Sequence, residues 1–121
     1  MGYASLFKAT FIINEHEFVM QQLTIQNLKA LSKINGHALF IDTPLPSTPL
    51  KTQQWEQTFC TLFNLTATNQ EWGADRYQVT LSNGSFSCML FIEWLCEAIW
   101  LEPIGSNENA QDLYDYLFDE T

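Results

Sequence analysis

Residues 76–103 read RYQVTLSNGSFSCMLFIEWLCEAIWLEP, and how this stretch folds decides what the rest of the chain packs on. Asn83-Gly84 is a strong short-range signal for a two-residue hairpin turn. With that turn Ser82 pairs with Ser85, Leu81 with Phe86, Val79 with Cys88 and Tyr77 with Leu90, so apolar pairs share one face and mainly polar pairs the other. One buried and one solvated face is what an antiparallel sheet over helices requires. Beyond Phe91 the pattern changes. Glu93 and Glu97 stand at i, i+4, and Trp94, Leu95, Ile99 and Trp100 surround the remaining circumference. The spacing predicts a short helix, buried on most sides, ending before Pro103, with the two glutamates as its wet stripe.

Upstream, residues 6–13 (LFKATFII) alternate as a strand does, and Asn14 with Glu17 has capping-box spacing for a short helix to Leu23, a second strand from Glu17 being the alternative. Thr24 caps a predicted helix bearing Ile25, Leu28, Leu31 and Ile34, stopped by Asn35-Gly36. HALFID at 37–42 is a short strand. TPLPSTP at 43–49 is a stiff connector, because proline cannot donate to regular structure. Trp55, Phe59, Leu62 and Phe63 mark an amphipathic helix over about 50–65. TATNQEWGAD at 66–75 reads as a polar loop; its Trp72 either folds back on the core or serves as a surface contact. The chain closes on a helix over 106–121, capped by Ser106 or Asn109, with Leu113, Tyr116 and Leu117 on its core face. The whole is one α+β domain over 1–121, with a small antiparallel sheet that includes the hairpin 77–90, packed against several helices.

Hydrophobic residues are 46% of the 121 and aromatics 14%, which excludes the composition of a disordered chain. Net charge is −9, and its distribution says more than its size. Residues 1–70 are neutral. Residues 71–121 hold ten acids against Arg76 alone. That imbalance argues against direct contact with nucleic acid or an anionic membrane, both of which need basic patches, and for an electropositive partner. Cys60, Cys88 and Cys96 are odd in number and set among apolar neighbours, so they read as reduced thiols. Lys8 interrupts the first apolar run and no small-residue cleavage site follows, so no leader is expected. The apolar stretch 88–101 is too short to span a bilayer. A cytoplasmic location is the expectation.

Motifs for chemistry are absent. There is no CxxC, HExxH, EF-hand loop or glycine-rich phosphate loop, so no metal, cofactor or catalytic residue is expected. His37, Asp42 and Cys60 are the residues from which a small enzyme or ligand pocket could be built. The last helix is different, because Glu108, Asp112, Asp115 and Asp119 follow i, i+4, i+7, i+11 and fall on one narrow face about 16 Å long. Such a row either is a solvated outer face or fits a groove of Arg and Lys that normally holds nucleic acid. The near absence of basic residues from the second half favours the groove, since mixed charges suffice for solubility. Glu93, Glu97 and Trp72 are the secondary contact candidates.

In YQVTL at 77–81 with its hairpin, and again in NAQDLYDYLFDE at 109–120, the chain resembles small uncharacterised acidic proteins encoded by phages and prophages. They have a similar strand-turn-strand and a short acidic C-terminal helix. The likeness covers the second half only, leaves out 92–104 and carries no functional residue across. It implies a host-directed role such as inhibition of defence nucleases, CRISPR effectors among them. The expected function is thus a non-enzymatic inhibitor of a basic, nucleic-acid-handling protein, of anti-CRISPR or anti-restriction type. The alternatives are an immunity protein against a nuclease toxin, the small enzyme around His37, Asp42 and Cys60, and a homodimer formed through 88–101.

Overall fold

The computed structural model describes residues 23–105 and 108–119. The strand expected at 6–13 and the helix or strand expected after Asn14 lie outside the described residues. Three helices and six strands follow in the order α1 (Ile25–Leu31), β1 (Ser32–Asn35), β2 (Ala38–Ile41), α2 (Pro49–Phe63), β3 (Thr66–Trp72), β4 (Arg76–Ser82), β5 (Ser87–Glu93), β6 (Ala98–Pro103) and α3 (Ala110–Phe118). The strands form one antiparallel sheet in the order β1-β2-β6-β5-β4-β3. The α+β expectation holds. No helix among the described residues is long and apolar enough to cross a membrane.

One face of the sheet makes the core. Tyr77, Val79 and Leu81 of β4, Cys88, Leu90 and Ile92 of β5, and Ile99 and Leu101 of β6 are buried in strict alternation. Against them α2 sets Trp55, Phe59 and Phe63, of which Trp55 stacks on Phe59 at 5.3 Å and Phe59 meets Phe63 tilted at 4.8 Å, and α3 sets Leu113, Leu117 and Phe118. Phe63 and Phe118 meet edge to face at 5.8 Å and join the two helices. Each such ring withdrawn from water stabilises the fold by roughly 1.5–3 kcal/mol.

The caps expected at Thr24 and Asn109 form, and Thr48, which the sequence reading did not single out, caps α2. Thr24 Oγ1 accepts from the Asn27 amide, Thr48 Oγ1 accepts from the Lys51 amide with Pro49 in the first turn, and Asn109 makes a reciprocal capping box with Asp112. Four expectations are corrected. The hairpin pairs Ser82 with Ser87, Leu81 with Cys88 and Tyr77 with Ile92, a shift of two residues, because the turn is four residues long. Asn83 Oδ1 accepts from the Ser85 and Phe86 amides and folds that longer turn, and Phe86 leaves the strand to stack on Tyr116. Residues 93–97 are no helix: β5 and β6 are joined by a tight turn over 94–97, in which Glu97 takes φ 53°.

Residues 32–35, expected as the end of the first helix, are β1. Gly36-His37 is its hairpin turn to β2, with Gly36 at the φ of 65° that glycine adopts without strain. Residues 66–72, expected as loop, are β3, an edge strand whose register breaks between Thr68 and Glu71 where Asn69 takes φ 56°.

Candidate functional site

The four-carboxylate row does not survive intact. Helix α3 starts at Ala110, so Glu108 precedes the cap. It is half-buried, and its Oε1 is shielded from solvent without a hydrogen-bond partner. Asp112 and Asp115 lie within the helix, one turn apart on the same face, and are exposed. The Asp112 carboxylate accepts from the Asn109 amide at 3.2 Å and that of Asp115 from Gln111 at 2.9 Å. Asp119 is the exposed C-cap residue. The outward acids are therefore Asp112, Asp115 and Asp119.

Their electrostatic setting is uneven along the helix. Asp112 sits in the first turn, where the positive end of the helix dipole favours it. Asp115 sits in the last turn and Asp119 at the cap, beside the negative end, and the last turn carries no basic residue. Among the described residues His37 lies 3.7 Å from Glu102 and Arg76 lies 3.9 Å from Glu93, and no lysine or arginine of these residues neutralises Asp112 or Asp115. The face is anchored to the sheet through Tyr116, which stacks on Phe86 at 4.1 Å and accepts a hydrogen bond from Asn83.

Glu93, Glu97 and Trp72 are elsewhere. Tyr116 touches the β4–β5 turn, whereas Glu93 and Glu97 sit at the opposite end of β5, about 20 Å along the strand. There Glu93 faces Arg76 at 3.9 Å and holds the exposed Cys96 thiol above its ordinary pKa by accepting its hydrogen bond. Trp72, 46% exposed, closes β3 with its ring against Tyr77 at 4.2 Å. It belongs partly to the core and partly to the surface.

His37, Asp42 and Cys60 do not frame one pocket. His37 and Asp42 flank β2 at its two ends, about 16 Å apart along the strand. His37 is paired with Glu102 at 3.7 Å. Cys60 lies on α2 beside Glu56, and burial, followed by the charge of Glu56, pushes its thiol up to about 11. A thiol held that high is protonated at neutral pH and inert as a nucleophile.

Sequence reasoning missed the group around Glu56. This carboxylate is 5% exposed between Trp55 and Phe59, and it accepts from the Tyr77 hydroxyl and from Gln70 Nε2 at 3.1 Å. The bulge in β3 aims Gln70 at it, as bulges do when they redirect a side chain. Desolvating a carboxylate costs several kcal/mol unless hydrogen bonds replace the water, and here both oxygens are served. Burial, then the bond to Glu56, drives the Tyr77 hydroxyl well above its ordinary pKa. The signal was present in the sequence: Thr52, Trp55, Glu56, Phe59 and Phe63 share one helical face, and all five are buried. The arrangement pins the edge strand to α2.

Among the described residues no three His, Cys, Asp or Glu side chains converge on a metal position. Compared with known proteins, the chain matches no family, no curated protein and no solved structure.

Proposed function

We propose that this chain is a non-enzymatic acidic binding protein that sets the outer face of α3 into a cationic groove on a nucleic-acid-handling protein and blocks it. The observation that carries the reading is Asp115, an exposed carboxylate in the last turn of a helix that has no basic residue there to offset it. A carboxylate at that end of a helix works against stability, by about 0.3–1 kcal/mol. A residue that merely kept the protein soluble could carry its charge at a neutral position. Together with Asp112 it presents two charges about 4.5 Å apart along the axis, of the same order as the rise of roughly 3.4 Å between phosphates on one DNA strand. The remaining charge of the second half steers encounter with a basic surface at low salt.

In its most specific form the proposal is an inhibitor of a host defence nuclease, carried by a phage. The test is capture from bacterial lysate by the immobilised protein at two salt concentrations. Wild type retains a nucleic-acid enzyme at low salt and releases it as salt rises, while Asp112→Lys with Asp115→Lys, which gives up the capping-box bond of Asp112 but leaves the buried face of α3 untouched, still folds and retains none. Capture of the same enzyme by the doubly reversed protein at low salt would overturn the proposal. If the captured enzyme is a toxin encoded beside this chain, the partner is a toxin and the protein an immunity factor.

A further inference from the structure

We propose that the open cavity between the connector after β2 and the β5–β6 turn binds an organic cation, an ammonium or guanidinium group on an aliphatic stem. The cavity measures about 520 Å³ and is lined by Asp42, Thr43, Pro44, Leu45, Trp94 and Glu97, within the size range of small-molecule sites. It lies at the end of the sheet opposite the β4–β5 turn that anchors α3, so it is separate from the face assigned above.

Three features converge on a cation. Asp42 and Glu97 reach the cavity from different elements, and no lysine or arginine among the described residues pairs with either. Trp94 supplies an indole, the aromatic side chain that attracts a cation most strongly over its face. Pro44 and Leu45 add apolar wall for a stem, and Thr43 and Pro44 also line a second cavity of about 230 Å³ walled by Leu23, Leu28 and Leu31.

The site is held in place before any ligand arrives. The Trp94 indole donates to the Pro46 carbonyl at 2.7 Å, and the Trp94 backbone amide donates to the Asp75 carbonyl at 2.9 Å, which ties the ring to the connector and its backbone to the loop before β4. The Asp42 amide donates to Leu31 at 2.9 Å and the Glu97 amide to Trp94 at 3.2 Å, which fixes both backbones. Preorganisation of this kind lowers the ordering cost of binding. A metal ion fits the set poorly. Calcium takes six to eight oxygen ligands, whereas two carboxylates and an indole suit a monovalent cation with an apolar body.

The cation can arrive free or as a Lys or Arg side chain on a peptide, and the same titration tells these apart. The Trp94 indole N–H resonance is followed in the full-length protein as agmatine, a short Gly-Arg-Gly peptide with blocked ends, or the neutral Gly-Gln-Gly equivalent is added. Agmatine or the arginine peptide shifts it with millimolar half-saturation and the glutamine peptide does not. Agmatine alone identifies a free amine as the ligand, and the arginine peptide alone identifies a side chain. Asp42→Asn with Glu97→Gln weakens binding at least tenfold, with the other three indole resonances unmoved as the check on folding. The Asp112→Lys, Asp115→Lys protein binds the cation as wild type does, so failure of the α3 reading leaves this site standing. Absence of a saturating shift with either cation, an equal shift with the neutral peptide, or undiminished binding in the carboxamide variant each overturns the proposal.

Discussion

Glu56 on α2 and Asp115 on α3 are both carboxylates on helices, yet the surroundings give them opposite work. Glu56 is buried among rings, and Tyr77 and Gln70 occupy its oxygens. Asp115 faces solvent, holds one side-chain amide and sits where its own helix disfavours it. The first charge is consumed by the fold, since removing it would strand a buried hydroxyl. The second remains available to another molecule. Counting acids along the chain treats the two alike; burial and partners separate them.

Alkali strikes the interior side of this comparison hardest. Burial first, then neighbouring charge, raises the Cys60 thiol from 9.0 to about 11 and the Cys88 thiol to about 12, and the Tyr77 hydroxyl moves the same way. Above about pH 9 the unfolded chain releases the two thiol protons, and above about pH 10 the tyrosine proton, while the folded chain still holds them, so stability falls as pH rises from about 9 to 11. The urea midpoint should therefore be level up to about pH 8.5, where unfolded thiols begin to ionise, and drop steeply above it. Replacing Cys60 and Cys88 by alanine should flatten the drop. A midpoint unchanged from pH 8 to 11 would show that burial does not hold these protons.

The two sides of the comparison were unequally visible in the sequence, and so were the elements that carry them. The apolar faces of β4 and β5 were legible because burial alternates there, but a period of two is unchanged by a shift of two. The correct residues were therefore placed inward on a wrong register, and only the Asx bonding of Asn83, which no periodicity encodes, sets the longer turn. Residues 93–97 looked helical because the outward positions of β5 and β6 are themselves apolar. Phe91 stacks on Trp100 at 5.1 Å and Trp100 on Phe40 at 5.6 Å, so alternation was hidden. Ile34 completed a helical stripe by coincidence and is 42% exposed on β1. β3, polar on both faces along most of its length, carries no burial pattern to read. The outward acids of α3 were legible except Glu108, whose inward turn depends on where the cap falls.

Glu56 gives the next largest effect. Glu56→Ala leaves the Tyr77 hydroxyl without its acceptor and opens a void, and it should cost about 3 kcal/mol in urea unfolding. Glu56→Gln keeps an acceptor for Tyr77, and Gln70 can turn its amide to match, so the loss should be only about 1 kcal/mol. Equal losses for the two variants would mean that the charge itself, and not its hydrogen bonds, holds β3 to α2.

The smallest effect has the opposite sign and bears most directly on Asp115. Asp115→Lys places a cation at the negative end of α3, worth about 0.3–1 kcal/mol, and gives up the bond from Gln111, worth about 0.2–0.5 kcal/mol. The balance is a gain of a few tenths of a kcal/mol, read as a slightly higher thermal midpoint. Capture of the partner should weaken in the same variant. Stability and binding then move in opposite directions at one residue, which is what a charge retained for recognition predicts. A loss of stability on reversal would place Asp115 with Glu56, as a carboxylate that the fold itself requires.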